Sequence, residues 1–332
     1  MSPRFSVLCI TYQAENTIRD TLRSILAQEH DSFEVVVQDN ASTDRTAQIV
    51  ASFKDPRLHF HKNPKNIGIA NNIIAGTGNC TGEFLFLMAA DDILATDALA
   101  ETEKLFRLSP EVGAVTRPYY WFDEDLRTAV RFKDGLPEGS KPVVKIGDDF
   151  RNIRPILSSL DQMSALAFRM SALRETFSQD FWAAHAFPFL RIMRDNAVAM
   201  HPKPILAVRI GSSITRGSVY DKPPMVSWIE TFQSAFPEPR FEVFLKTCIR
   251  EFIAINYVGL VQIRNFGKWS YVLREIGLLI RLRPKNLLVP GFWFYSFLTL
   301  LLPPFILKPL SEWYKKKVLS GRIGKIDFRY PF

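Results

Sequence analysis

The sequence predicts an α/β fold: a Rossmann-like, mostly parallel sheet flanked by helices, followed by a helical carboxyl-terminal region that is both basic and apolar. Three observations carry this expectation. Short apolar runs alternate with segments of helical period through the first hundred residues. Polar loops rich in Asp, Asn and Ser follow those runs. Positive charge gathers in the last third of the chain. Alternating strand and helix units imply parallel pairing with helices on both faces.

The elements follow in order. Phe5-Ser-Val-Leu-Cys-Ile10 is an apolar run that reads as a buried strand. Ile18, Leu22, Ile25 and Leu26 then recur at helical spacing. Phe33 to Gln38 is a second strand, Asp39 to Asp44 a polar loop, and Thr46 to Phe53 an amphipathic helix. A third strand is expected at Arg57 to His61, with a helix running from Asn66-Ile-Gly68 through Asn72. Glu83 to Met88 is a fourth strand, and it ends in Ala89-Ala90-Asp91-Asp92. Ligands in such sheets bind at the carboxyl ends of the strands, where Tyr12, Asp39 and Asp91-Asp92 all fall. Two adjacent carboxylates there suit a hard cation and the phosphates it carries, or else a solvated turn and helix cap. Residues 118–150, with Pro118-Tyr-Tyr-Trp-Phe122 and many turn formers, read as irregular. Beyond about Pro224 the pattern is helical.

Thr11-Tyr12 with Glu15, Gln38-Asp39-Asn-Ala-Ser-Thr-Asp44, Asn66-Ile-Gly68, Gly82-Glu83-Phe and Ala90-Asp91-Asp92 form an ordered set that resembles the family 2 glycosyltransferases. The close match covers about residues 4–95, and a weaker one runs to about 215. The resemblance implies a GT-A fold, a nucleotide-diphosphate sugar donor, inversion at the anomeric carbon, and Mg²⁺ or Mn²⁺ as cofactor. It also implies roles. Asp92 would ligate the metal directly, and Asp91 would hold the ribose or a metal-bound water. Asp39 would accept from a pyrimidine ring N–H, and Tyr12 would lie against the base. Thr11, Glu15 and Asn66 would line the nucleotide pocket. Gln38 and Ala89 stand where many members carry an acid. An inverting transferase also needs a base for the acceptor hydroxyl. No carboxylate falls just before the helix expected at Phe187 to Met193, so His185 is the nearest titratable group and Asp180 the fallback. The alternative is a weak or inactive nucleotide-sugar-binding scaffold that partners an active transferase.

Three scattered cysteines make neither a metal spacing nor a disulfide pattern, which fits a reducing compartment. Residues 240–332 hold 16 Lys and Arg against 5 Asp and Glu, or +11, so the remainder carries −3 of the net +8. Within them Asn286 to Leu307 has no charged residue and is flanked by cations on both sides. A membrane span, a surface or re-entrant membrane element, and a buried core segment are the three readings. Two basic flanks favour the surface reading, at the cytoplasmic face of the plasma membrane, because anionic lipid attracts both. Nucleic acid is a poor partner for cations that adjoin an apolar block. The expected organisation is a catalytic domain over 1–220, with a nucleotide-sugar half to about 117 and an acceptor half from 118. A helical region follows over 221–332. The expected acceptor is a saccharide, carried on a lipid.

Overall fold

The computed structural model describes residues 3–123, 126, 128–173, 177–178, 184–210, 223–319 and 328–330. The chain divides into two compact units, Met1–Gly211 with Ile323–Phe332, and Ser212–Arg322. The chain end returns to the first unit, where the Thr96 N–H donates to the Arg329 carbonyl (3.0 Å) and Phe328 packs edge-on against Tyr120.

The first unit begins β1 (Phe5–Thr11), α1 (Ile18–Leu26), β2 (Phe33–Asp39), α2 (Thr46–Ala51), β3 (Leu58–Lys62), α3 (Ile69–Thr77) and β4 (Phe84–Ala89). It continues β5 (Ile93–Leu94), α4 (Ala98–Arg107), β6 (Val112–Thr116), β7 (Tyr120–Phe122), β8 (Ala129–Phe132) and β9 (Val143–Val144). It closes with α5 (Phe150–Ser159), β10 (Ala167–Arg169), α6 (Ala186–Met193), β11 (Ala197–Met200) and β12 (Leu206–Arg209). Eight strands form the main sheet in the order β3-β2-β1-β4-β10-β6-β11-β9. The first four are parallel, whereas β10 runs antiparallel between β4 and β6. Every residue of β1 and β2 is buried. That is why these strands read as continuous apolar runs and not as alternating ones.

Topology positions the site. From β1 the chain winds outward through β2 to β3, then returns to place β4 on the other side of β1. The order reverses at the β1/β4 boundary, which is where an open α/β sheet forms its ligand crevice. Gly82 permits the return, because a Cβ there would stand 2.6 Å from the Ser6 nitrogen.

Residues 118–150 depart from the irregular expectation. They supply β7, β8 and β9, and β5, β12, β7 and β8 form a second four-stranded sheet. These strands are two to four residues long, too short for a period-two pattern to show, and β5 and β7 pair with the distant β12. Asp91 and Asp92 occupy the corner where the chain leaves the main sheet at β4 and enters the second at β5.

The second unit is helical: α7 (Pro224–Ala235), α8 (Glu242–Glu251), α9 (Gly259–Phe266), α10 (Trp269–Leu282), α11 (Pro290–Leu301) and α12 (Pro304–Tyr314). The uncharged segment is thus two short helices parted at Leu302-Pro303, and no helix among the described residues is long and apolar enough to cross a membrane. On α10, Glu275 is buried with one oxygen accepting from the Met225 N–H (3.1 Å) and the other unpartnered. Burial pushes its pKa up to about 7. The folded state therefore keeps a proton that the unfolded chain has already released. Stability in this unit is expected to fall as pH rises from about 4.5 to 7, by at most about 3 kcal/mol. Glu275→Gln removes the titration. At pH 8 it should melt several degrees above the parent by calorimetry, and below pH 4.5 the two should coincide.

Candidate active site

Three loops meet at the carboxyl edge of β1, β2 and β4, and side chains lace the first two together. The Gln13 side-chain oxygen accepts from the N–H groups of Thr43 (2.8 Å) and Asp44 (3.2 Å). The N–H groups of Gln13, Ala14 and Glu15 donate to Ser42 Oγ, Thr46 Oγ1 and Asp44 Oδ2 at 2.9, 2.9 and 3.0 Å. Gln13 and Ala41 have φ of 52° and 67°, the only positive values among described non-glycine residues. Such strain collects where a loop shape is held for a purpose. Tyr12, beside Gln13, is half-exposed at this edge.

Several expected pocket residues serve the loops themselves. Glu15 accepts from Arg45 Nε (3.1 Å) and its backbone N–H (3.2 Å). Thr11 is buried in register with Asp39, and its hydroxyl has no partner among the described residues. Asp39 is fully buried, with its carboxylate turned into its own loop to accept from the Ser42 N–H and hydroxyl; Lys62 Nζ stands 3.8 Å away. Asn66 is exposed and accepts from Asn40 Nδ2 and the Gly68 N–H, both at 2.9 Å. Gln38 is explained by an amide network. It donates to Asn63 (2.9 Å), which in turn donates to Asn40 (3.2 Å) and Asn72 (2.7 Å). A neutral amide supplies both donor and acceptor there, whereas a buried carboxylate would accept only.

The two acids of the pair sit differently. Asp92 is fully buried. Its Oδ2 accepts from Ser164 Oγ (2.6 Å) and Gln162 Nε2 (2.8 Å), and its Oδ1 from the Arg209 N–H (3.2 Å). These three bonds tie Asp92 to the corner, and Oδ1 keeps accepting capacity beyond its one N–H. Asp91 is only half-buried, and Arg209 Nε donates to its carbonyl at 3.3 Å. The pair lies over the carboxyl half of β1, since its charges, after burial itself, raise the pKa of the Cys9 thiol. Among the described residues, no three His, Cys, Asp or Glu side chains converge as a metal cage.

Of the two expected bases, only His185 is among the described residues. Asp180 lies outside the described residues. His185 immediately precedes α6, and its Nε2 sits 2.9 Å from the Leu160 carbonyl. A carbonyl only accepts, so Nε2 carries the proton. Burial pushes the ring's pKa down to about 4. His185 is thereby tied through Nε2 to the end of α5.

That end of α5 carries a carboxylate that sequence reasoning missed. Asp161 precedes the Gln162 that holds Asp92, and its side chain is nearly half exposed. It accepts from the Tyr119 hydroxyl and from Lys133 Nζ (2.8 Å). Burial pushes its pKa up, but Lys133 and Tyr119 outweigh burial and hold the carboxyl below the usual range. Tyr119 responds to the charges of both Asp161 and Asp92, and His185 to that of Asp161, so these groups share one neighbourhood. The available signal was Tyr119 and Trp121 in the aromatic stretch, whose partners cannot be read from sequence. A 310 Å³ hollow lined by Pro3, Arg4, Ser32, Thr81, Gly82 and Glu83 opens at the amino edge of the strands, away from these groups.

Residues 6–177 match the family described as Glycosyl transferase family 2. Poly-β-1,6-N-acetyl-D-glucosamine synthase of Staphylococcus epidermidis is 31% identical over 112 residues, 33% of this chain and 27% of that protein. The chain thus spans about a quarter of that relative's length. An uncharacterized glycosyltransferase of Haemophilus influenzae is 25% identical over 293 residues, covering 82% of this chain and 84% of the relative. Among solved structures, S. aureus TarS 1–349 in complex with UDP-GlcNAc superposes with a TM-score of 0.64 at 17% identity, covering 97% of this chain and 91% of that one. A mannosyltransferase of Pyrobaculum calidifontis in complex with GDP-Man and Mn²⁺ gives 0.57 at 20% identity, covering 96% and 89%. These likenesses establish the GT-A fold.

Proposed function

This chain belongs to glycosyl transferase family 2 and is a glycosyltransferase, and on that premise we propose that it moves a sugar from a uridine diphosphate donor to a lipid-carried saccharide, with inversion, in the building of a surface polysaccharide. The observation that supports the reading is the part-buried Asp91 at the β1/β4 switch point, with Tyr12 just beyond the end of β1, the strand paired to β4, and Asp92 bonded into the corner. The donor class is supported by the UDP-GlcNAc held by TarS and by the N-acetylglucosamine polymer named for the staphylococcal synthases. A guanosine diphosphate sugar is the second reading, favoured by the GDP-Man in the Pyrobaculum neighbour and by the indifference of ring stacking to base identity.

A divalent cation suits this site when held jointly by protein and donor. One part-buried carboxylate plus diphosphate oxygens and water is a common way to bind Mg²⁺ or Mn²⁺, whereas a cage made by the protein alone finds no donor set among the described residues. Asp91 is the residue that would hold the ion, and its chemistry there is Lewis-acid stabilisation of charge on the departing diphosphate. Asp92 keeps the Asp91 backbone in place through Gln162, Ser164 and Arg209. Asp161 is the base of this reading: its carboxylate takes the acceptor hydroxyl proton as that oxygen bonds to the anomeric carbon and the bond to the diphosphate breaks.

The test is turnover. Purified protein is given UDP-GlcNAc, UDP-glucose or GDP-mannose with Mn²⁺ and a panel of octyl glycosides, and release of nucleoside diphosphate is followed. Steady UDP release that needs the acceptor, with a β-linked product by NMR, is expected. Release of GDP alone would transfer the reading to the purine donor. Binding without release would leave the scaffold.

A further inference from the structure

The faces of α11 are inverted for a helix in water, and α12 exposes large apolar residues while burying Leu307. On α11 the residues turned inward are small and polar, with Ser296 2% and Thr299 0% exposed, apart from Phe292. Those turned outward are Phe294 (61%), Phe297 (53%) and Leu301 (75%). The outward residues are spaced three and four apart and so form one stripe. On α12 Phe305 is 77% exposed and Trp313 56%. Soluble surfaces seldom gather such residues into one run. The stretch from Arg281 to Lys317 holds seven Lys and Arg against Glu312 alone, or +6. Arg281, Lys285, Lys308 and Lys317 are exposed.

We propose that α11 and α12 form an interfacial docking face for an anionic phospholipid bilayer, lying in the headgroup region without crossing it. The stripe supplies apolar area for the acyl boundary, with Trp293, Trp313 and Tyr314 at headgroup depth, where aromatics with a polar edge settle. The cations meet anionic headgroups, each adding attraction near the surface. The proline break at Leu302-Pro303 limits each helix to lengths that suit lying in the surface and not spanning. Charge decides against a second copy of the chain as occupant, because two faces each carrying +6 repel. This inference goes beyond the donor chemistry, and its test uses no nucleotide, so failure here leaves the transferase reading untouched.

The full chain is mixed with phosphatidylcholine vesicles, with or without phosphatidylglycerol, and sedimented. Binding is expected to need phosphatidylglycerol and to weaken with added salt. F294E/F297E, at two exposed positions, should keep the parent circular dichroism and lose at least about tenfold in partitioning. Should that variant fail to fold, K285E/K317E retains the apolar stripe and should still lose the preference for anionic vesicles. The inference is overturned by no binding to either vesicle, by equal binding to both, or by unchanged binding of a folded F294E/F297E. A concentration-dependent dimer that F294E/F297E dissolves, without vesicle binding, would also overturn it and assign the face to a second copy.

Discussion

Asp91→Asn is expected to lower kcat/KM by roughly 10²- to 10³-fold, with the melting temperature nearly unchanged, the usual scale for removing one preorganised charge from a site where charge develops. The contrast with its neighbour makes the experiment specific. Asp91 is half-buried at the corner. Asp92 is buried beneath it and takes hydrogen bonds from Gln162, Ser164 and the Arg209 backbone. Asp91→Asn keeps shape and loses charge where the ion would bind. Donor affinity should then cease to respond to Mn²⁺, measured by calorimetry with UDP. Asp92→Ala should unfold at markedly lower temperature, because three donors lose their acceptor in a buried place, at about 1–3 kcal/mol for each one left unsatisfied. If Asp91→Asn retains both turnover and the Mn²⁺ response, the assignment of Asp91 fails. If Asp92→Asn reproduces that loss at unchanged stability, the two roles are reversed.

Sequence alone reveals which local segments meet at this edge, and the reasons are physical. β1, β2 and β4 are buried on both faces, so their apolar runs stand out, and the loops after them carry acids because each ends at a polar crevice. What sequence leaves open is which acid faces out. That is settled by Gln162 and Ser164, some 70 residues on, and by Arg209, 117 residues on, none of them marked by a periodic pattern. Asp39 is a similar case. Its position after β2 is legible, but the turn of its carboxylate into Ser42 depends on a loop shape that includes Ala41 at positive φ. His185 was marked by its place before an apolar helix. Its burial and its bond to the Leu160 carbonyl come from the packing of α6 against the end of α5, a tertiary fact.

Asp161→Asn is expected to reduce kcat by about 10²- to 10⁴-fold, the range a positioned general base supplies, and to leave UDP affinity unchanged. The split matters because Asp161 also anchors Lys133 and Tyr119. A merely structural residue would disturb stability and both kinetic constants together. Asp161→Glu keeps a carboxylate on a longer arm and should recover part of the rate, which a packing role would not predict. His185→Gln serves as the companion measurement. Its Nε2 is committed to the Leu160 carbonyl, and burial pushes the ring's pKa down to about 4. That substitution should lower the melting temperature through loss of the Leu160 contact and change kcat by less than about tenfold. A large loss of kcat in His185→Gln with Asp161→Asn near parental would return the base to the helix start and remove Asp161 from the chemistry. With the expected pattern, the site has moved its base from the start of α6 to the end of α5. One turn there then serves both halves of the reaction: Gln162 steadies the acid pair on the donor side, and Asp161 faces the acceptor.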